Sequence, residues 1–592
     1  MKKSYIYSAL LVAGMGLASC SSDFLEQSPV GAVSQSTLAN KENLDKLLSG
    51  CYAALYAQEG HNWDMGYRSL SGWIFGDVIG GDANKGSTAA DQPNASNLEQ
   101  WVFLSDNAYL DGKWTASYEA VKRANEVLFV CEGFENKEEA KVFQAQARFV
   151  KGVQMFEAIK VFGAHVPYVT LEAYLEGNDP VVWNHQDGNL IYAWDMVAED
   201  LQFAADNLPE SWGKGNEGRV NKYAAEAVLA KLRLYQSCYG EQNKNGGANK
   251  WAEAKTLLDD IISRGKTSEG ITLGLHPNYA QIFSINGDNT SENVFDVEYK
   301  IEGTAWQTCT INGSHAPAPQ FITGAWGFYQ PSYELTNCFR VDEKGLPIMN
   351  SNDYPALCVQ EGTTAVSDLT AAVDPRLDIT AGRFEVPYYW DDPKQGWGTP
   401  AGTELATYIR EVSNAGLFFN KKYNPSSTEA GVINDCPLAS DKNLHVIRFA
   451  EVLLMRAEVA IHEGDYKTAE NYINDIRNRA ANQAWWLKNG EKFAANYKVA
   501  PYPENTLNAS NAMDILEREI RLELGMEGNR WFDLCRWGKV KPALEAYGKN
   551  ENKHLGASKY PSTYNADWYC LPLPLGQIQA SDGRFIQNDV WK

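Results

Sequence analysis

Two apolar periodicities joined by a very short turn constrain this chain more than any other feature. Ile447, Ala450, Leu454, Ala457 and Ile461 recur at helical spacing, as do Tyr466, Ala469, Ile473, Ile476 and Ala480, with Glu463-Gly464-Asp465 between them. Apolar residues every three or four positions make one sticky stripe on each helix. A Gly-Asp turn this tight leaves the two stripes no choice but to face each other as an antiparallel pair. Alanines at the crossing points let the axes come close.

The same pattern recurs upstream. Trp114, Tyr118, Val121 and Leu128 predict one helix, and Val142, Ala145, Phe149, Gly152, Phe156 and Ile159 predict its partner. A further couple comprises Tyr223, Ala227, Ala230 and Leu234 with Trp251, Ala254, Leu258 and Ile261. Small residues at crossings and a Tyr/Ala opening to the second helix resemble tetratricopeptide repeats, although the pairs are unevenly spaced. Between about Gly270 and Asn443 the helical period fades. Runs such as Val294 to Tyr299 read as short strands, separated by loops rich in Gly, Pro and Asn such as Gly313 to Pro319 and Pro393 to Gly402. A similar irregular stretch, His61 to Asn107, interrupts the N-terminal helices. The expected fold is therefore mainly α, with tetratricopeptide-like helix pairs as scaffold and a loop-rich, partly β insert, the place where binding usually resides. Boundaries fall at 1–19 (leader), 20–270 (helical, with a binding loop at 61–107), 271–444 (insert) and 445–592 (helical).

Composition removes several function classes. A formal charge of −22 supplies no basic surface for nucleic acid. The ten cysteines are widely spaced with no C-x-x-C, and the eight histidines show no metal-ligand spacing, so neither a metal site nor a cofactor is expected. Gly213 to Gly218 satisfies G-x-G-x-x-G, but it follows a helix instead of a strand and reads as a loop. Asp391 and Asp392 are adjacent carboxylates of the kind that form turns. Aromatics are abundant, with 18 Trp and 30 Tyr, and many stand beside Gly, Asn, Asp and Pro. Flat rings cover the C–H faces of sugars while polar neighbours meet the hydroxyls.

The N-terminus carries Lys2 and Lys3, an apolar stretch from Ile6 to Leu17 too short to span a bilayer, and then Leu17-Ala-Ser-Cys20. This is a secretory leader whose cysteine stands where bacterial lipoproteins are cut and acylated. No other segment is apolar enough to form a membrane helix.

Toward the other end, Leu516-Glu-Arg-Glu-Ile-Arg-Leu-Glu-Leu-Gly-Met-Glu-Gly-Asn-Arg-Trp-Phe-Asp-Leu-Cys-Arg-Trp-Gly538 resembles the C-terminal signature of SusD/RagB nutrient-binding lipoproteins. Tyr52 to Tyr56, Val161 to Thr170, Glu199 to Pro209, Arg219 to Ala225, Ser291 to Phe295, Asp374 to Leu377, Arg448 to Leu454, Leu571 to Pro574 and Gln587-Asn588 are similar to that family in the same order. The resemblance implies a non-catalytic glycan-binding lipoprotein anchored in the outer membrane, facing outward. It also implies a SusC-like TonB-dependent transporter as partner. A surface glycoside hydrolase and a peptide-binding RagB-like relative are the alternatives. Within the signature, Arg518, Glu519, Arg521, Glu523 and Arg530 are expected to pair at i,i+3 and i,i+4 and with the preceding repeat. Trp531, Phe532 and Trp537 are expected to form a core stripe.

Ligand contacts are expected from aromatics in the two irregular regions: Trp63, Asp64, Trp73 and Trp101 in the first, and Trp306, Trp326, Tyr329, Tyr388, Tyr389 and Trp390 in the second. Arg383 joins them because a guanidinium donates to two vicinal hydroxyls at once. Their polar or Gly neighbours and lack of helical spacing predict partly exposed rings. Acylation at Cys20 predicts that Cys20→Ala yields a folded protein absent from the membrane fraction. A Cys20→Ala protein that still pellets with outer membrane lacking any transporter partner would contradict this.

Overall fold

Several of the helices start where an asparagine or aspartate side chain receives a first free amide. In the computed structural model, which describes residues 39–56, 68–175, 183–299, 327–388, 405, 409–422, 424, 431–433, 436–439, 442–562, 564–565 and 567–592, Asn40 caps α1 (Lys41–Ala53) and Asn107 caps α2 (Ala108–Glu132). Asn136 caps α3 (Lys137–Phe162) by accepting from the Glu139 amide at 3.3 Å. After α4 (Trp194–Asn207), Asn221 caps α5 (Lys222–Glu241), which is followed by α6 (Trp251–Arg264). Each such cap satisfies an amide that the helix itself leaves unpaired, about 1 kcal/mol apiece.

These helices stack in chain order, α1 on α2, α2 on α3, α3 on α4, α4 on α5 and α5 on α6. The stack then continues into the far end of the sequence. α6 packs on α7 (Phe449–His462), which pairs with α8 (Tyr466–Ala480) and also touches α9 (Ala512–Leu524). Trp251 lies flat on His462 at 4.0 Å between ring centres, and the Arg456 guanidinium reaches Asp259 at 2.6 Å. α10 (Arg530–Arg536) and α11 (Val540–Leu555) follow.

The central insert is built from two-stranded antiparallel pieces. β1 (Ala83–Gly86) pairs with β3 (Phe328–Pro331), and β2 (Asn293–Val297) pairs with β8 (Leu444–Arg448). β4 (Cys358–Glu361) pairs with β5 (Thr364–Ser367), and β6 (Ala381–Gly382) with β7 (Phe419–Asn420). The fold is thus mainly helical, with small sheets carried on paired helices. Ile447 departs from the expectation: it lies on β8, and the helix begins two residues later, at Phe449. The β8 register against β2 claims its backbone.

The signature charges also depart from the local pairing expected of them. Glu523 meets Arg479 at 2.5 Å, Arg448 at 3.0 Å and Arg376 at 3.0 Å, and Glu519 meets Arg376 at 2.8 Å and Arg477 at 2.9 Å. Arg521 bonds Asp82 at 2.6 Å and Glu334 at 2.9 Å, while Arg518 donates to the carbonyls of Cys338 and Ile348. The contacts to the preceding repeat exist through Arg477 and Arg479; the remaining partners come from far along the chain. Trp531 and Phe532 are buried and Trp537 is partly buried, its indole N–H donating to Glu458. The seven cysteines with described side chains are buried free thiols, and no described helix is long and apolar enough to cross a membrane.

The turn between α7 and α8 holds Gly464 at φ +77°, with the Asp465 side chain accepting from the Thr468 amide at 3.1 Å. A β-branched residue in that left-handed conformation is strained by roughly 1–2 kcal/mol. Gly464→Val is accordingly expected to lower the thermal midpoint while preserving a helical circular dichroism spectrum; an unchanged midpoint would contradict the strain.

Candidate functional site

α1 buries Leu44, Leu48 and Cys51 along one stripe. The neighbouring stripe, Asp45, Ser49, Tyr52 and, one turn beyond the helix, Tyr56, faces an open cleft of about 440 Å³. The opposite walls are the loop residues Glu217, Gly218 and Arg219 and the end of β2, Asp296 to Glu298. The volume falls within the range of small-molecule sites, about 300–1,000 Å³. The G-x-G-x-x-G segment is indeed a loop, and its last glycine walls the cleft. Gly218 is at φ +71°, and a Cβ there would lie 2.4 Å from Glu298 Cγ, so the close approach of loop and strand requires glycine.

Aromatic and charged groups in these walls are held in place by hydrogen bonds. The Tyr52 hydroxyl donates to Gln146 Oε1 and accepts from the Val220 amide, both at 3.2 Å. The Tyr56 hydroxyl donates to the Glu298 carbonyl, and its ring meets Tyr299 edge-on at 5.0 Å. The Arg219 guanidinium lies 4.9 Å over the Trp212 ring and 4.0 Å from Asp45. Behind the cleft, His445 on β8 sits opposite Asp296 on β2 and bonds it at 2.8 Å through Nδ1, with Nε2 at 2.9 Å from the Ile282 carbonyl. Burial works against a charge on His445, but the Asp296 carboxylate outweighs it and lifts the imidazole to about 9. Burial pushes the Asp288 and Glu298 carboxyls up to about 7, with Asp296 adding to the shift of both. Asp296 is 8% exposed, and its Oδ1 has no hydrogen-bond partner among the described residues.

Trp73, Trp101, Tyr329, Arg383 and Tyr388 are not the partly exposed groups their sequence surroundings suggested; all five are buried. Trp73 packs edge-on against Tyr329 at 5.7 Å, and the Tyr329 hydroxyl donates to Asp77 Oδ2 at 2.5 Å. Trp101 donates to the Ile79 carbonyl and sits among Tyr547, Tyr560 and Tyr564. Arg383 makes a two-pronged pair with Asp378 at 2.6 and 2.9 Å, and the Tyr388 hydroxyl donates to the Asn420 carbonyl. Polar neighbours signalled exposure in the sequence, whereas here those polar groups satisfy one another inside the protein. Cys20, Trp63, Asp64, Trp306, Trp326, Tyr389 and Trp390 lie outside the described residues.

The cleft residues were missed from sequence. Their signal was the spacing 45, 49, 52, 56 beside the buried 44, 48, 51, a second stripe on one helix. Among the described residues, no group of three or more His, Cys, Asp or Glu is arranged to hold a metal ion.

The profile of the SusD family matches residues 285–591, and a second, described as starch-binding associating with outer membrane, matches residues 23–234. The chain belongs to the SusD family. A SusD-like protein of Bacteroides ovatus is 23% identical over 547 residues, which are 89% of this chain and 81% of that protein. A SusD homolog from Bacteroides thetaiotaomicron, known from its crystal structure, superposes with TM-score 0.65 at 18% identity, covering 95% of this chain and 99% of that one. Surface glycan-binding protein A from Bacteroides thetaiotaomicron, in complex with laminarihexaose, superposes with TM-score 0.58 at 18% identity, covering 93% and 99%. These structural likenesses establish the SusD fold for the chain.

The cleft of this SusD-family protein carries a pH signature. Glu298 titrates near 7 when folded and at about 4.3 when unfolded. A raised acid pKa contributes stability that is fully present below the unfolded value and is lost as pH rises through the folded one. Glu298→Gln removes that loss, so the thermal midpoint of the variant minus that of the native protein is expected to become more positive from pH 5.5 to pH 8.5. A difference that is flat or declines over this interval would contradict the raised pKa.

Proposed function

We propose that this protein is a lipid-anchored, cell-surface glycan-binding protein that captures an oligosaccharide and hands it to a SusC-like TonB-dependent transporter in the outer membrane. The observation that carries the reading is the cleft beneath Tyr52 and Tyr56 on a SusD-family fold. Tyrosine rings there border polar groups of both kinds, the Arg219 donor and the Asp45, Glu217 and Asp296 acceptors. Rings against C–H faces and fixed polar groups against hydroxyls are what a sugar requires. The Bacteroides thetaiotaomicron relative bound to laminarihexaose supports the same ligand class. Tyr56 and Tyr299 touch one another and directly precede the segments that hold Trp63 and Asp64 and then Trp306 and Trp326. Those four, with Tyr389 and Trp390, are proposed ligand contacts. Cys20 is proposed as the acylated residue that tethers the protein.

The protein acts by binding, not by catalysis. Calorimetry of the form lacking residues 1–20 against a panel of glycans is expected to find one or more ligands with Kd in the micromolar to millimolar range, about −8 to −4 kcal/mol. Prolonged incubation with those ligands is expected to release no new reducing ends. Arg219→Ala is expected to weaken binding without shifting the thermal midpoint by more than about a degree, because an exposed ion pair contributes little to stability. Release of reducing ends would point to a glycoside hydrolase, and peptide binding without glycan binding to a RagB-like relative.

A further inference from the structure

The charge of the cleft bears on which glycans can enter. Among the described residues of its walls, Asp45, Glu217, Asp296 and Glu298 face a single cation, Arg219, and behind them His445 pairs with Asp296 at 2.8 Å, so the excess of acid lies with Asp45, Glu217 and Glu298. Its charge is offset by Asp45 at 4.0 Å, while its guanidinium lies over Trp212 and keeps N–H groups for a hydroxyl. Asp296 is more than nine-tenths buried, and its Oδ1 has no hydrogen-bond partner among the described residues; Glu298, only partly buried, has an Oε1 that likewise lacks one. An unpaired buried acceptor is costly and is relieved by a donor. A sugar hydroxyl is a donor. A uronate carboxylate or a sulfate ester offers only acceptors and adds a like charge to the site.

Of the two chain segments that follow the cleft residues in sequence, one is acidic and the other neutral. Residues 57–67, which follow Tyr56, contain Glu59 and Asp64 and neither Lys nor Arg. Residues 300–326, which follow Tyr299, are balanced by Lys300 and Glu302. The whole chain carries −22, so there is no long-range field to draw a polyanion in.

We infer that the ligand of this cleft is a neutral oligosaccharide whose hydroxyls donate to the wall carboxylates, and that the cleft discriminates against uronic-acid and sulfated glycans. The inference rests on the glycan-binding function proposed above and narrows its substrate class. Discrimination is built from wall acceptors that only a donor satisfies, together with repulsion of an added anion by the rim carboxylates Asp45 and Glu217.

The test is calorimetry of the full soluble protein, residues 21–592, against two sets of probes at matched chain length. The neutral set is β-1,3-glucan, xyloglucan, starch and mannan oligosaccharides; the anionic set is polygalacturonate, alginate and chondroitin sulfate oligosaccharides. At least one neutral glycan is expected to bind, with every anionic probe at least roughly tenfold weaker at about 0.1 M salt, where the screening length is about 10 Å. Lowering the salt is expected to leave neutral binding in place and to weaken anionic binding further. Anionic binding equal to or tighter than neutral binding would overturn the charge selection and leave the glycan-binding reading intact. Binding of no glycan in either set would overturn both. A second measurement ties the effect to this cleft: Asp45→Asn/Glu217→Gln removes two charges from its rim and is expected to raise affinity for polygalacturonate at least about threefold at low salt. A folded double variant with unchanged discrimination would overturn the assignment to these walls.

Discussion

A charged cluster with almost no contact with water holds this protein together. Glu523 accepts from Arg376, Arg448 and Arg479; Glu519 accepts from Arg477 and is ion-paired with Arg376; Glu292 accepts from Arg448 and Arg479; Glu527 accepts from Arg448 and Lys422. Burial alone would drive Glu523 toward its neutral form, yet the three surrounding guanidinium groups hold its carboxyl far below the usual carboxylate range. Removing one member of such a cluster leaves an uncompensated buried charge, about 3–5 kcal/mol. The arrangement therefore specifies the fold more than it adds net stability. α9 is held at once by α8, by Arg448 at the end of β8 and by Arg376 of the insert.

The candidate cleft inherits its geometry from that requirement. Arg448 ends β8, and β8 pairs with β2, whose last residues and Glu298 form one wall. The opposing wall, α1, is fastened to α2 and α3, the other end of the same stack. The Tyr56 hydroxyl closes the two walls onto each other at the Glu298 carbonyl. A wall set by a buried ion cluster on one side and a helix stack on the other is preorganised, so a ligand has little ordering cost to meet.

How much of this was legible varies with the range of the interactions concerned. α2, α3, α5, α6, α7 and α8 were readable because an amphipathic stripe is a local pattern, and Gly464 was readable because a turn that short has few conformations. The signature charges were recognisable as a helix, but their partners were not. Arg376 and Arg448 lie 147 and 75 residues from Glu523, and no spacing rule connects them. Trp73, Trp101, Tyr329, Arg383 and Tyr388 were misplaced for a related reason. Loop composition tells that polar groups are present, not whether they face water or one another, and Asp77, Asp378 and the Ile79 and Asn420 carbonyls face inward.

The sequence by itself determined the helical scaffold, the loop-rich insert and membership of a family, since periodicity, turn chemistry and motif order are written along one dimension. Tertiary structure alone decided which carboxylates meet which guanidinium groups, which aromatics are sealed in, and that Asp45, Tyr52, Arg219 and Glu298 share a cleft. Burial and electrostatic environment depend on what packs across the chain in three dimensions. The pKa of Glu298 and the unpaired oxygen of Asp296 belong to that second class: each arises only when β2, β8 and the 217–219 loop exclude water together.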